Sequence, residues 1–409
     1  MAKGAYIGID GVAKKIKGGY IGVDDKARKI KKAYIGIGGV ARPCWGGGTP
    51  AYYGQIDGLR HQTDMLSAAS VGDYALFAGG HSSYWYTMVC PEVTAYNSSL
   101  VQSYPTDAYM AVYMGAASIG DYAVFHGGVS YYEGEDYISI ENYVAAYNSS
   151  LTQTFRSTSI SRYGAASGTI GNYALFAGGY YPYGDSESIS NKLYTCDGSL
   201  TFTELTTTLT NSRAFMRSFK AGNYLLFTGG FNNSSGSKIC EAFDTSLTKY
   251  GGTLNLSNTA NGNNMAGSVG QYGIVITPAC YSGSVSAIDI FDSSLTKITG
   301  TMSATSNYSF VASMTLKDYA FFIPDKSPRA VAGSSNTNTI VFDSSLTQTQ
   351  LEPPHNDYLH DNTQPSDGGH EYKYEYLNWG VTVGNFALIG GGIQGTGYRT
   401  SMVEAYTVI

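Results

Sequence analysis

Three of the six histidines fall in one stretch, His355, His360 and His370, accompanied by Asp357, Asp361, Asp367 and Glu371. Imidazole and carboxylate are legitimate ligands for zinc or manganese. Their intervals fit no compact metal motif, so the stretch reads as a polar, solvated loop, and neither a metal nor any other cofactor is expected. The five cysteines, Cys44, Cys90, Cys196, Cys240 and Cys280, lie far apart with no Cys-x-x-Cys pair. That distribution points to buried free thiols rather than to a disulfide framework or a cysteine zinc site. Carboxylates such as Glu133 and Asp136 have the chemistry of glycoside hydrolysis, but that reaction depends on a separation in space that spacing along the chain does not give. No Gly-x-Ser-x-Gly elbow or phosphate-cradling glycine loop occurs in the right context, and no enzyme activity is expected. Asn97-Ser98-Ser99 and its cousins match a glycosylation acceptor pattern but are regular turn residues.

The elements that position these groups announce themselves through composition. The chain has 409 residues with 51 Gly, 36 Tyr and only 14% charged residues, a β-rich globular composition. No window approaches the ~18 consecutive apolar residues of a membrane-spanning helix. Met1 to Lys17 lacks the apolar stretch and cleavage site of a secretory signal, so synthesis in a cytoplasm is expected, with release by lysis or within an assembled particle. The net charge of −6 is uneven: residues 1–46 carry ten Lys or Arg against three Asp, giving +7, and the body carries −13. Such asymmetry signals two parts with different partners.

Residues 1–46 repeat every 14 residues, marked by Tyr6, Tyr20 and Tyr34. Each unit reads Tyr-Ile-Gly-(Ile/Val), a turn pair (Asp10-Gly11, Asp24-Asp25, Gly38-Gly39) and a basic stretch. These turn residues tolerate the positive φ of a tight hairpin, so three tandem hairpins are predicted. Isolated hairpins are marginal in water, so the segment needs a partner surface, with Tyr6, Tyr20, Tyr34, Lys29 and Lys31 as candidate docking residues. The basic run Lys26 to Lys32 alternates with Ala27 and Ile30 in strand fashion and lacks a recognition helix, which argues against nucleic acid.

From residue 47 a longer repeat takes over. A (Gly/Lys)-(Asp/Asn/Gln)-(Tyr/Phe) turn leads into an apolar run at residues 72, 120, 171, 222, 270, 317 and 384. An aromatic-Asx-Ser-Ser-Leu turn follows at Tyr96, Tyr147, Phe243, Phe291 and Phe342, with a variant at Cys196. Each unit parses as four short strands, and runs such as Tyr-Ala-Leu-Phe-Ala are apolar on both faces, as a sheet between two neighbours requires. The fold predicted is all-β: a seven-bladed propeller of four-stranded blades over residues 47–409, with small residues such as Ala68-Ala69 on the innermost strands. The last unit lacks its fourth strand, and Tyr52 to Arg60 are predicted to supply it and close the ring.

Gly-Gly doublets after the apolar run, at residues 79, 127, 178, 229 and 390, make residues 51–409 resemble a kelch-type propeller. Thr277-Pro278 and Ile323-Pro324 replace the doublet in two units, and the family's usual tryptophan is missing. Some kelch-like propellers are copper radical oxidases, which need convergent Tyr, His and Cys ligands, and no matching motif can be assigned. The 14-residue units resemble the N-terminal repeats of tail or fibre proteins of phages and prophages of Gram-positive bacteria. That resemblance implies a virion protein whose residues 1–46 bind other tail or particle proteins while the following domain faces outward.

In such a propeller the loops between second and third strands share one face with the blade-to-blade connections, and all the length variation lies there. Tyr84, Trp85, Tyr86, Tyr131, Tyr132, Asp136, Tyr181, Tyr183, Asp185 and Asn232 are the candidate ligand residues on these loops, joined by the long connection Pro353 to Tyr376. Tyrosine with Ser, Gly and Asn gives rigid contact area and adaptable hydrogen bonding. Attachment to a host cell-surface glycan or protein is the expected function, made effective by many copies per particle and by homo-oligomers such as a trimer. The alternatives are a rigid decoration or baseplate component and a polysaccharide-modifying enzyme.

Overall fold

In a computed structural model the N-terminal segment is described at the strands Tyr6–Ile9, Val12–Lys15, Tyr20–Val23, Lys26–Lys29, Lys32–Ile37 and Val40–Gly46. The remaining described residues are 48–82, 89–109, 111–131, 138–183, 186–232, 235–260, 264–277, 287–298, 310–324, 338–352, 380–392 and 399–409. The six N-terminal strands pair as three antiparallel hairpins about the three predicted turn pairs, each hairpin a separate two-stranded sheet.

Seven antiparallel sheets, four-stranded at their core, follow as the blades of a propeller. Their innermost strands are Ser67–Val71, Gly115–Ile119, Ala166–Ile170, Arg217–Ala221, Met265–Val269, Phe310–Leu316 and Gly380–Val383. Among the described residues there is no helix, and so none long and apolar enough to cross a membrane. The second strands are buried almost throughout because both sheet faces meet a neighbouring blade, which is why Tyr74–Ala78 and its counterparts show no alternation.

The ring closes through Pro50–Ile56, which pairs with Val403–Val408 as the outermost strand of blade seven, with a bulge at Tyr53. The closing strand therefore ends earlier than the predicted Tyr52 to Arg60. Asp57 and Gly58 are instead spent in the bend towards blade one, where their carbonyls accept Tyr96 Oη and Gln102 Nε2. The glycine doublet of blade seven also shifts by one residue from the predicted Gly390-Gly391. Gly390 completes a strand, and Gly391 and Gly392 take the positive φ of 74° and 102°.

The doublets are the seams between blades. Gly80 N donates to Ala111 O, Gly179 N to Arg213 O and Gly392 N to Thr63 O, the last across the closure. A Cβ on Gly80 would lie 2.5 Å from Asp64 O at a φ of +105°, so only glycine fits.

Each Asx-Ser-Ser-Leu turn is held by its first side chain, as where Asp292 Oδ1 accepts Ser294 N at 2.8 Å and Thr296 N at 2.9 Å. The following leucines all sit at positive φ, 59–63°, a conformation that costs an L-residue about 1–2 kcal/mol and is held here by these local bonds. The residue after the turn staples its blade to the preceding connection in one of two ways. Where the aromatic is Tyr, a Gln serves: Gln153 Nε2 reaches Tyr147 Oη and Asp107 O at 2.9 and 2.6 Å. After Phe243 and Phe291 a Lys serves with a buried acid, as where Lys297 Nζ meets Asp289 at 2.5 Å and Ser257 Oγ at 2.8 Å, whereas after Phe342 the position holds an exposed Gln348.

Innermost strands would present bare backbone edges to the axis, and hydroxyls from the next blade cover them. Ser118 Oγ accepts Ser70 N and donates to Ser70 O, at 3.2 and 2.6 Å. Ser167 does the same for Ala116 at 3.0 and 2.7 Å, and Thr315 for Ser268 at 3.3 and 2.7 Å. One hydroxyl is both donor and acceptor, so a single Ser or Thr satisfies both groups of one residue.

Candidate functional site

Strand direction gives the propeller two unlike faces. The turns that follow the first strand of every blade, and the third strand of blades one to six, are short and uniform. The longer described connections lie on the opposite face. On it, blades two, three and four raise hairpins from the ends of their second strands: Val129–Tyr131 with Ile138–Ile140, Tyr180–Tyr183 with Ser186–Ile189, and Phe231–Asn232 with the start of Ser235–Phe243. Bridges Val112 to Val129, Tyr163 to Tyr180 and Ala214 to Phe231 root the hairpins in the connections before each blade. Beneath them lies one aromatic cluster, in which Tyr163 stacks on Tyr180 at 4.9 Å and Tyr113 meets Phe215 edge-on at 5.2 Å.

Of the ten candidate ligand residues, Tyr131, Tyr181, Tyr183 and Asn232 fall on these three hairpins. Asn232 is exposed and Tyr181 half-buried. Tyr84, Trp85, Tyr86, Tyr132, Asp136 and Asp185 lie outside the described residues, as does the stretch from His355 to Glu371. Among the docking candidates, Tyr6, Tyr20, Tyr34 and Lys29 are on hairpin strands, and Lys31 lies outside the described residues.

Tyr181 does not stand free. Its ring lies over the guanidinium of Arg162, 4.7 Å away, and Tyr194 flanks the same group at 5.4 Å. Arg162 donates from Nη2 to Tyr194 Oη at 3.0 Å and from Nη1 to Ser161 O at 2.8 Å, while its Nε is buried without an acceptor. Burial works against its charge, and the Tyr194 and Tyr181 rings with Glu204 offset that penalty. A cation held between two tyrosines props the blade-three hairpin upright and sets a charge at its root.

A second cluster sits where blade seven meets blade one. Asp64 and His81 are buried, Arg399 Nε donates to Asp64 Oδ1 at 2.8 Å, and Arg399 Nη2 bonds the His81 ring. Desolvation, then the Arg399 charge, holds His81 down to about 3, so it is a neutral acceptor. Glu92 nearby collects Arg60 Nε at 3.2 Å and His61 Nε2 at 3.0 Å. Sequence inspection passes over Arg162, Asp64, His81 and Arg399. The available signal was an arginine or acid in the short connection ahead of a small-residue strand, as in Ser161-Arg162-Tyr163-Gly164.

Among the described residues no three His, Cys, Asp or Glu converge as metal ligands. Cys90, Cys196 and Cys240 are buried free thiols, and desolvation pushes Cys196 and Cys240 up to about 12, far from nucleophilic at neutral pH. The described part of the loop face is thus a tyrosine-bordered surface over a half-buried cation, an arrangement suited to binding.

No protein-family model matches the chain, and neither does any curated protein. Among solved structures the chain is similar to the structure of YjhT, with a TM-score of 0.52 and 12% sequence identity over 72% of this chain and 99% of that one. A likeness at that identity shows the fold: this chain carries a seven-bladed β-propeller.

Proposed function

We propose that this chain is a phage or phage-tail-like virion protein that binds the host surface, a glycan or a protein, through the loop face of its propeller. The observation that carries the reading is the polarity of the fold. Thr49 pairs with Ile409 and Pro50 with Val408, so the chain enters the closing strand on the turn face. A segment of charge +7 thus feeds into the side opposite the tyrosine-bearing hairpins. Attachment through residues 1–46 to other particle proteins directs the long loops outward. A rigid scaffold bearing variable loops is the usual way for a fold to carry recognition, and multiple copies on one particle turn weak sites into firm attachment. The 14-residue units and their likeness to tail-protein repeats support the particle half of the reading.

The test is binding of the fluorescent full-length chain, clustered on beads, to Gram-positive host-type bacteria before and after removal of surface polysaccharide. Saturable binding that falls on stripping identifies a glycan receptor, and binding that survives stripping but not surface proteolysis identifies a protein. Replacing the blade-three hairpin by a two-residue turn should abolish either. No binding by the clustered chain refutes host recognition and favours a decoration or baseplate role.

A further inference from the structure

The innermost strands surround a channel that holds a cavity of about 310 Å³ near the turn face and one of about 130 Å³ towards the loop face. The larger cavity is lined by Ala, Ser, Thr and Gly together with Met314 and Val381, with Ser70, Ser118, Ser268, Thr315 and Thr382 at its turn-face end. These residues occupy one repeat position, two before the Gly or Lys that opens the turn. Thr169 holds it in blade three, and blade four alone departs, placing Lys220 there.

The departure changes what the mouth offers. A hydroxyl at this position spends its hydrogen on the preceding blade, as Ser118 does on Ser70 O and Thr169 on Ser118 O. An ammonium cannot play both parts of such a staple, because it only donates. Lys220 is exposed, with its backbone N bonded to Ser268 Oγ of the channel lining, and it has no ion pair among the described residues; no carboxylate contributes to its electrostatics. Burial alone acts on it, lowering its affinity for the proton. Two hydroxyls of the ring remain able to donate: the Thr382 hydroxyl makes no hydrogen bond among the described residues, its backbone being engaged in the strand ladder, and Ser268 Oγ accepts Lys220 N at 2.7 Å with its own hydrogen unspent.

We infer that the turn-face mouth of the channel is a binding site for a small oxyanion, a carboxylate or phosphate group, anchored by Lys220 with Ser268 and Thr382 as hydroxyl donors. A cation in a concave, partly desolvated ring gains more from an anion than one on an open surface does, because the surrounding protein weakens solvent screening. The site lies on the face opposite the tyrosine hairpins, so it is independent of host recognition.

Calorimetric titration of the full chain with inorganic phosphate and, separately, with acetate tests the inference and distinguishes the two sources. Saturable one-to-one binding of either is expected, weakened at least about tenfold in Lys220→Ser and less in Thr382→Val, in line with loss of a charged rather than a neutral partner. Lys220→Ser restores the repeat's own residue, so it should melt no lower than the natural chain in anion-free buffer, which keeps loss of binding separate from loss of fold. Absence of saturable binding for both anions overturns the proposal. So does a Lys220→Ser chain that binds as tightly as the natural one, since the anion then sits elsewhere.

Discussion

Acidification should unfold this propeller through two histidines before most of its carboxylates titrate. His81 is 1% exposed at the closure, and His126 is 3% exposed in blade two, where its ring stacks on Phe202 at 4.6 Å and meets Phe176 at 5.5 Å. Burial is the first cause of a depressed pKa for both, with Arg399 adding to it at His81 and Arg162 at His126, and each falls from 6.5 to about 3. The unfolded chain therefore binds two protons between those limits that the folded chain refuses. The resulting stability is fully present above about pH 6.5 and is lost as pH falls towards 3. Each group contributes a slope of about 1.4 kcal/mol per pH unit well inside the window, so moving from pH 7 to pH 5 costs about 2 kcal/mol per histidine and about 4 kcal/mol in all. That is a large share of the ~5–15 kcal/mol that holds a typical domain. Urea unfolding followed by circular dichroism at the two pH values, at fixed ionic strength, measures it. His126→Phe keeps an aromatic ring in the stack, and His81→Gln keeps an acceptor for Arg399, so each variant should lose about half of the pH dependence. An unfolding free energy equal at pH 7 and pH 5, or His81 and His126 ring resonances that titrate near 6.5 in the folded chain, would refute the reasoning.

Ser118→Ala strips both edge groups of Ser70 of their partner and should cost about 1–3 kcal/mol, whereas Ser118→Thr, the residue that blades three, six and seven use at this position, should leave the denaturation midpoint nearly unchanged. Arg213 is fully buried and bonds Glu241, Gly229 O and Ile239 O, so Arg213→Met leaves a buried carboxylate with only Lys249 as its counter-ion. A loss of about 3–5 kcal/mol is expected, with a substantial part recovered in Arg213→Met/Glu241→Leu, and a thermal-shift comparison of single and double variants would show it. Cys196 and Cys240 should resist a thiol reagent at pH 8 in the folded chain and react at once in urea; rapid labelling without denaturant would contradict their burial.

The sequence by itself determined the architecture, because every signal needed for it is local. The turn at Gly72-Asp73-Tyr74 needs a residue tolerant of positive φ, and Asn97 closes its own turn through bonds to residues 99 and 101. Repeated seven times, such signals fix strand ends and blade number, and a missing fourth strand fixes the closure. The Tyr-Gln and Phe-Lys staples were also readable in principle, since partners such as Tyr147 and Gln153 stand six residues apart. Tertiary structure alone decided which side chains meet. Arg162 lies between Tyr181 and Tyr194, and Asp64 meets Arg399 across 335 residues of chain, in pairs that no period links. The exact bounds of the closing strand were settled by a bulge at Tyr53 and by the bonds that hold Asp57 and Gly58. Lys220 shows the division most plainly: its departure from the Ser/Thr position is visible in the sequence, but only the closed ring turns that position into the rim of a channel, where a cation without a carboxylate acquires chemical meaning. Local sequence sets backbone conformation within a few residues, and the packing of one blade on the next sets the environment that gives each charge its energy.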